Sequence, residues 1–233
     1  TLSRSGIIVS DPASLLKAEG DKFCSVWGNG AGDNVCGNEL LDHSPILEPE
    51  DIRAFSKKYR PASAVSLDGF HCRHFCLLSD PALRAMALWF AVMEATGAIP
   101  TQLSWVLLAL LAKPTGGFRP IGIFPSWYRV WGRCRRFEAQ RWELQHAREY
   151  WAAGANRGAG DAVWRLAFKA EVGAKRGQVS ATIFWDLRTC YEHIDLKLLW
   201  EKCKQHTFPS CIARLAIQAY SCARFLTLGG IVD

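Results

Sequence analysis

The chain lacks any apolar run long enough to cross a bilayer. Its longest, Trp105 to Ala112, falls well short of the ~20 residues a spanning helix needs. No membrane partner is therefore expected. The nine cysteines follow no regular spacing, and an odd number without a framework argues for reduced thiols in an intracellular protein, in nucleus or cytoplasm. A P-loop is missing: Gly28-Asn29-Gly30-Ala31-Gly32-Asp33-Asn34 has neither the flanking strand and helix nor the Lys-Ser/Thr ending that a phosphate cradle requires. His71, Cys72, His74 and Cys76 crowd into one short stretch without a second ligand pair at finger spacing, so no metal is assigned to them. No two aspartates are adjacent anywhere. Acidic residues are the minority charge, Asp+Glu 22 against Lys+Arg 28, and the net charge of +6 suits a polyanionic partner.

What is present describes a globular chain. Its 233 residues, 49% hydrophobic and 21% charged, suffice for one large domain or two small ones with a real core. Residues 1–45 carry little pattern and are read as a lead-in, with a short helix from Asp11 to Lys22 capped by Asp11 and started by Pro12. Glu48 to Phe55 starts a helix that Lys57-Lys58-Tyr59-Arg60-Pro61 breaks, and Asp68-Gly69 marks a turn. Asp80 to Gly97 is strongly helical, with Leu83, Met86, Ala87, Phe90 and Met93 or Glu94 at helical spacing and Gly97 as terminator. Thr101 to Ala112 reads as a buried strand. Gly160 to Ala174 is an amphipathic helix expected to pack behind the sheet. Lys197 to Gln205 and Pro209 to Tyr220 are further helices, and Arg224 to Ile231 opens a hairpin.

Three stretches carry chemistry. Ile183-Phe184-Trp185-Asp186 is a β-branched and aromatic run ending in a carboxylate, which puts Asp186 at a sheet rim, where Mg²⁺ ligands are often presented. A turn-capping role for Asp186 fits the local pattern equally well. Tyr191 follows five residues later in a tight turn, and Asp195 is placed to cap the next helix. In Lys113-Pro114-Thr115-Gly116-Gly117-Phe118-Arg119, two cations flank a glycine turn and stand on facing ends of a hairpin. An ammonium and a guanidinium fork so placed complement a triphosphate, although a solvated hairpin tip has the same sequence. Arg129, Arg133, Arg136 and Arg141 interleave with Trp127, Tyr128, Trp131 and Trp142 at near-helical spacing. Such a helix either binds a nucleic-acid backbone or buries its aromatics as core with its arginines solvated.

Four blocks in order resemble reverse transcriptases, most closely those of non-LTR retrotransposons and group II introns. The strand followed by Lys113-Pro114-Thr115-Gly116-Gly117-Phe118-Arg119-Pro120-Ile121-Gly122-Ile123-Phe124-Pro125, then Ser126 and the aromatic-basic helix, is similar to the family's fingers hairpin. Pro61-Ala62-Ser63-Ala64-Val65-Ser66-Leu67-Asp68-Gly69-Phe70 resembles the preceding Ser-x-Pro-Gly-x-Asp-Gly segment, with Val65-Ser66 in place of Pro-Gly. Gly154-Ala155-Asn156-Arg157-Gly158-Ala159-Gly160-Asp161-Ala162 is similar to the Gly-Phe-Arg-x-Gly-Arg-Ser-Thr segment, with Asn156 in place of Phe. Trp185-Asp186-Leu187-Arg188-Thr189-Cys190-Tyr191 resembles the first palm motif, an Asp followed at the fifth position by Phe or Tyr.

The resemblance implies an α/β (α+β) fold of fingers plus partial palm, helices on a small, mainly antiparallel sheet. Residues 46–177 would be fingers-like with the basic helix, and 178–233 the partial palm. The implied activity is RNA-directed DNA synthesis from an RNA template, a DNA primer and dNTPs. Asp186 is implied as catalytic residue and Mg²⁺ ligand, Leu187 as a backbone carbonyl donor, Tyr191 as the ring that excludes a 2′-hydroxyl, and Lys113 and Arg119 as phosphate ligands. Glu192 and Asp195 are weaker ligand candidates than Asp186, since they fall in the turn and at the helix cap, and Trp185 and Cys190 are assigned to packing. The family's glycine-rich template grip and aromatic-x-Asp-Asp turn have no counterpart in these residues, so no polymerisation is expected from them alone. A nucleic-acid-binding remnant without chemistry and an intron maturase are the alternatives.

Overall fold

Both ends of the Asp80–Gly97 segment fold as their sequence dictates. In a computed structural model, helix α3 (Asp80–Thr96) has Pro81 in its first turn and ends at Gly97, whose φ of 67° is in the left-handed region that glycine enters freely. Glycine is needed there for a second reason: a Cβ would lie 2.6 Å from Arg214 Nε. The structure describes residues 11–27, 35–37, 44–152, 154, 157–179, 181–183, 185, 193–228 and 231–232. The chain forms two compact units, Thr1–Arg135 with Glu192–Asp233, and Arg136–Tyr191.

The larger unit is helical around a small mixed sheet. Helix α1 (Pro12–Trp27) begins where Asp11 Oδ2 accepts hydrogen bonds from Ser14 N and Oγ, both at 2.8 Å. It runs beyond Lys22, further than the sequence suggests. Helix α2 (Pro49–Lys57) is followed by a 3₁₀ turn (Cys72–Leu77) and α3. Strands β1 (Trp105–Ala112) and β2 (Phe118–Ile123) precede helix α4 (Ser126–His146). Helices α6 (Leu196–Gln205) and α7 (Ser210–Tyr220) and strands β3 (Ala223–Leu228) and β4 (Ile231–Val232) complete it.

The sheet order is β2-β1-β3-β4. Antiparallel β1–β2 pairs Leu111 with Arg119, parallel β1–β3 pairs Trp105 with Ala223, and β3–β4 is an antiparallel hairpin. The expected C-terminal hairpin is thus present, and the mainly antiparallel sheet has one parallel pairing at its centre.

Alternation along β1 buries Val106, Leu108 and Leu110 against α1, whose Leu16 and Phe23 complete a cluster with Phe118 and Leu226. Each such side chain removed from water contributes ~1.5–3 kcal/mol. The first 45 residues therefore supply part of a core. A second cluster joins Ile52, Leu83, Phe90, Met93, Trp127, Val130, Trp131 and Leu215 of α2, α3, α4 and α7. All six positions singled out on α3 are buried. A third, smaller cluster packs Trp200 of α6 against Ala213 and Ile217 of α7.

Two expectations are corrected. Residues 181–183 and 185 form no strand, and Ile183 and Trp185 are 74% and 84% exposed instead of packed. With their side chains in water, these residues have no buried face of the kind that holds a strand in register. Helix α5 (Ala159–Lys175), in the smaller unit, leaves Val163, Trp164 and Phe168 exposed, so its apolar stripe does not pack as the amphipathic pattern suggests.

Candidate functional site

The β1–β2 hairpin is built for a tight tip. Lys113 N donates to Gly117 O and Gly116 N to Lys113 O, both at 3.0 Å. Gly116 and Gly117 sit at φ of 88° and 77°, a left-handed pair that a side chain at either position would strain. Arg119 opposes Leu111, and the ladder continues one step to Lys113 opposite Gly117. Directly opposed residues share a face, and so do residues two apart along a strand. Lys113 and Arg119 therefore lie on one side of the hairpin, the side away from α1, and both are exposed. Two like charges on one side of the tip both attract an anion.

The loop before this hairpin is tied to the end of β2 and the start of α4. Ser66 Oγ donates to Ile123 O at 2.7 Å, at the last residue of β2. Asp68 Oδ2 accepts from Ser126 N at 2.6 Å and from Ser126 Oγ at 2.5 Å, which satisfies the first turn of α4. Its Oδ1 accepts from Phe70 N at 3.1 Å and closes the turn at Asp68-Gly69. Arg129 Nη1 donates to Ala64 O at 2.6 Å, and Tyr59 OH donates to Arg129 O at 2.6 Å. The sequence marks Asp68-Gly69 as a turn but gives no sign that Asp68 caps a helix far along the chain.

The four arginines of α4 divide. Arg129 and Arg133 are half-buried, their guanidinium groups 5.4 and 4.3 Å from the Tyr59 ring centroid. Burial pushes the Tyr59 hydroxyl up to about 12. Arg136 and Arg141 are exposed. Trp127 and Trp131 are core, Tyr128 is half-buried, and Trp142 stacks on His146 at 4.5 Å. The first half of α4 is thus a packing element, and its exposed arginines are in the second half.

Sequence inspection missed the buried charge entirely. Glu94 of α3 and Arg135 of α4 form a two-point ion pair, Nε–Oε1 at 2.6 Å and Nη2–Oε2 at 2.7 Å, and Trp131 Nε1 donates to Glu94 Oε1 at 2.6 Å. The only hint is that the α3 periodicity admits Glu94 as an alternative to Met93. His71 and His74 have local roles: His71 Nδ1 accepts from Arg73 N, and His74 Nδ1 accepts from His71 N. Asp195 caps α6 as expected, Oδ1 accepting from Lys197 N at 2.8 Å and Leu198 N at 3.1 Å.

Asp186, Leu187 and Tyr191 lie outside the described residues. Among the described residues no group of three or more His, Cys, Asp or Glu side chains is placed to hold a metal ion, and no helix is long and apolar enough to cross a membrane. No protein-family model matches the chain, and no curated protein matches it.

Proposed function

We propose that this chain is the fingers and first part of the palm of a retroelement RNA-directed DNA polymerase, acting on an RNA template and DNA primer. The observation that carries the proposal is the hairpin that sets Lys113 and Arg119 on one side of a Gly116-Gly117 tip. The ties of Ser66 and Asp68 to Ile123 and Ser126 support it, since two of the four blocks that resemble the family are in contact. In this reading Lys113 and Arg119 hold the β- and γ-phosphates of a dNTP and neutralise charge that builds on them. Tyr191 is the ring that excludes a 2′-hydroxyl, and Leu187 offers a carbonyl. In the same reading Asp186 would hold Mg²⁺, an ion that would neutralise charge on phosphate oxygens.

A test is equilibrium binding of a fluorescent dNTP to the chain and to its Lys113→Ala and Arg119→Ala variants. Losing one charge-assisted contact costs ~1.5–3 kcal/mol, so affinity should fall roughly ten- to a hundredfold. Binding of an RNA–DNA hybrid should change little. Equal losses for both ligands would leave only a general basic surface, the property of a nucleic-acid-binding remnant without chemistry.

A further inference from the structure

The unit Arg136–Tyr191 holds a cavity of about 520 Å³, and the described residues that line it all belong to that unit. That volume suits a small organic ligand, for which sites run ~300–1,000 Å³. Arg157, Arg165 and Lys169 line it, with Tyr150 and Trp151 beside them. Two of the cations are set in place by backbone. Arg157 Nη1 donates to Trp151 O at 3.0 Å and also to Arg148 O, and Arg165 Nη1 donates to Glu149 O. These bonds fix the segment that carries the two aromatics against the start of α5. Asp161 also lines the cavity, but its Oδ2 accepts from Gly158 N at 3.0 Å and is used to cap α5; Glu149 is the other acid. Tyr150 is 80% exposed, and its ring stands perpendicular to Trp151 with centroids 6.3 Å apart.

Oriented guanidinium forks and an ammonium complement phosphate oxygens, and an exposed aromatic face accepts any base by stacking. We propose that this cavity binds one nucleotide unit, its phosphate on Arg157, Arg165 and Lys169 and its base on Tyr150. The unit is either a free nucleoside monophosphate or one residue of a single strand. The proposal rests on these residues alone and does not depend on what Lys113 and Arg119 bind.

The test is anisotropy of a fluorescent AMP analogue with the full chain, competed by AMP, inorganic phosphate and a short single-stranded oligonucleotide. AMP should compete at least tenfold better than phosphate. Lys169→Glu should weaken AMP at least tenfold with an unchanged melting temperature, because it leaves both arginine–backbone bonds in place. Tyr150→Ala should remove the advantage of AMP over phosphate. An oligonucleotide tighter than AMP assigns the site to a strand, and a weaker one assigns it to the free nucleotide. Absence of saturable binding, or binding indifferent to both substitutions, overturns the proposal. So does AMP binding lost in Lys113→Ala but kept in Lys169→Glu, which would move the ligand to the hairpin and leave that site's reading standing.

Discussion

Replacing Glu94 by alanine strips Arg135 of its carboxylate in a place water does not reach. The side chains of the pair are 4% and 3% exposed. Glu94 is the acceptor for three hydrogen bonds, two from Arg135 and one from Trp131 Nε1. The bond from Arg135 Nη2 to Pro45 O, at 2.8 Å, cannot offset a full charge. Removing one partner of such a pair costs ~3–5 kcal/mol, because the other is left charged and desolvated. At ~2–4 °C per kcal/mol for a chain of this size, the melting temperature of Glu94→Ala should fall by about 6–20 °C. Glu94→Leu combined with Arg135→Met should recover most of the loss, since a well-packed apolar pair removes the desolvated charge altogether. Urea melts of Glu94→Leu, of Arg135→Met and of the double variant give the coupling energy directly. A fall of under about 1 kcal/mol in Glu94→Ala, or a double variant worse than both singles, would refute a buried ion pair linking α3 to α4.

Asp68→Ala should destabilise by ~1–2 kcal/mol through loss of its cap on α4, and Asp68→Asn by less; chemical denaturation reads both. Burial raises the Cys134 thiol to about 12 and Cys222 to about 11, from an ordinary value of 9.0. A raised folded pKa gives stability that is complete below pH 9 and is lost as pH rises toward 11–12, so the urea midpoint should drop above pH 9; a flat midpoint to pH 11 would contradict the burial. Arg136→Gln with Arg141→Gln should weaken hybrid binding and flatten its salt dependence, whereas Arg129→Gln and Arg133→Gln should act on stability through Tyr59; anisotropy across a salt series, with melting as control, separates the two. The isolated 233 residues should extend no primer with Mg²⁺ or Mn²⁺, and extension abolished by Asp186→Asn would show that the acids already present suffice.

The elements that the sequence settled are those whose determinants lie within a few residues. The apolar spacing, Pro81 and Gly97 define α3 because helix contacts run between neighbouring turns and only glycine enters the left-handed terminator freely. Gly116-Gly117 between two extended runs defines the hairpin, and Asp11 and Asp195 define two helix starts, since a short side-chain acceptor meets the nearest amides. Tertiary structure decided the pairings across distance. The sequence shows neither that β3 lies parallel to β1 nor that Asp68 caps α4, and nothing in it places Leu16 and Phe23 of α1 beneath the sheet. The same holds for which aromatics and arginines of α4 are buried, because Trp127 and Trp142, or Arg129 and Arg141, look alike until Tyr59 and α3 supply or withhold a surface. Local conformation follows from sterics and hydrogen bonds that the chain carries with it. The choice of partner is a competition among all segments for one core, and no window of sequence contains the competitors.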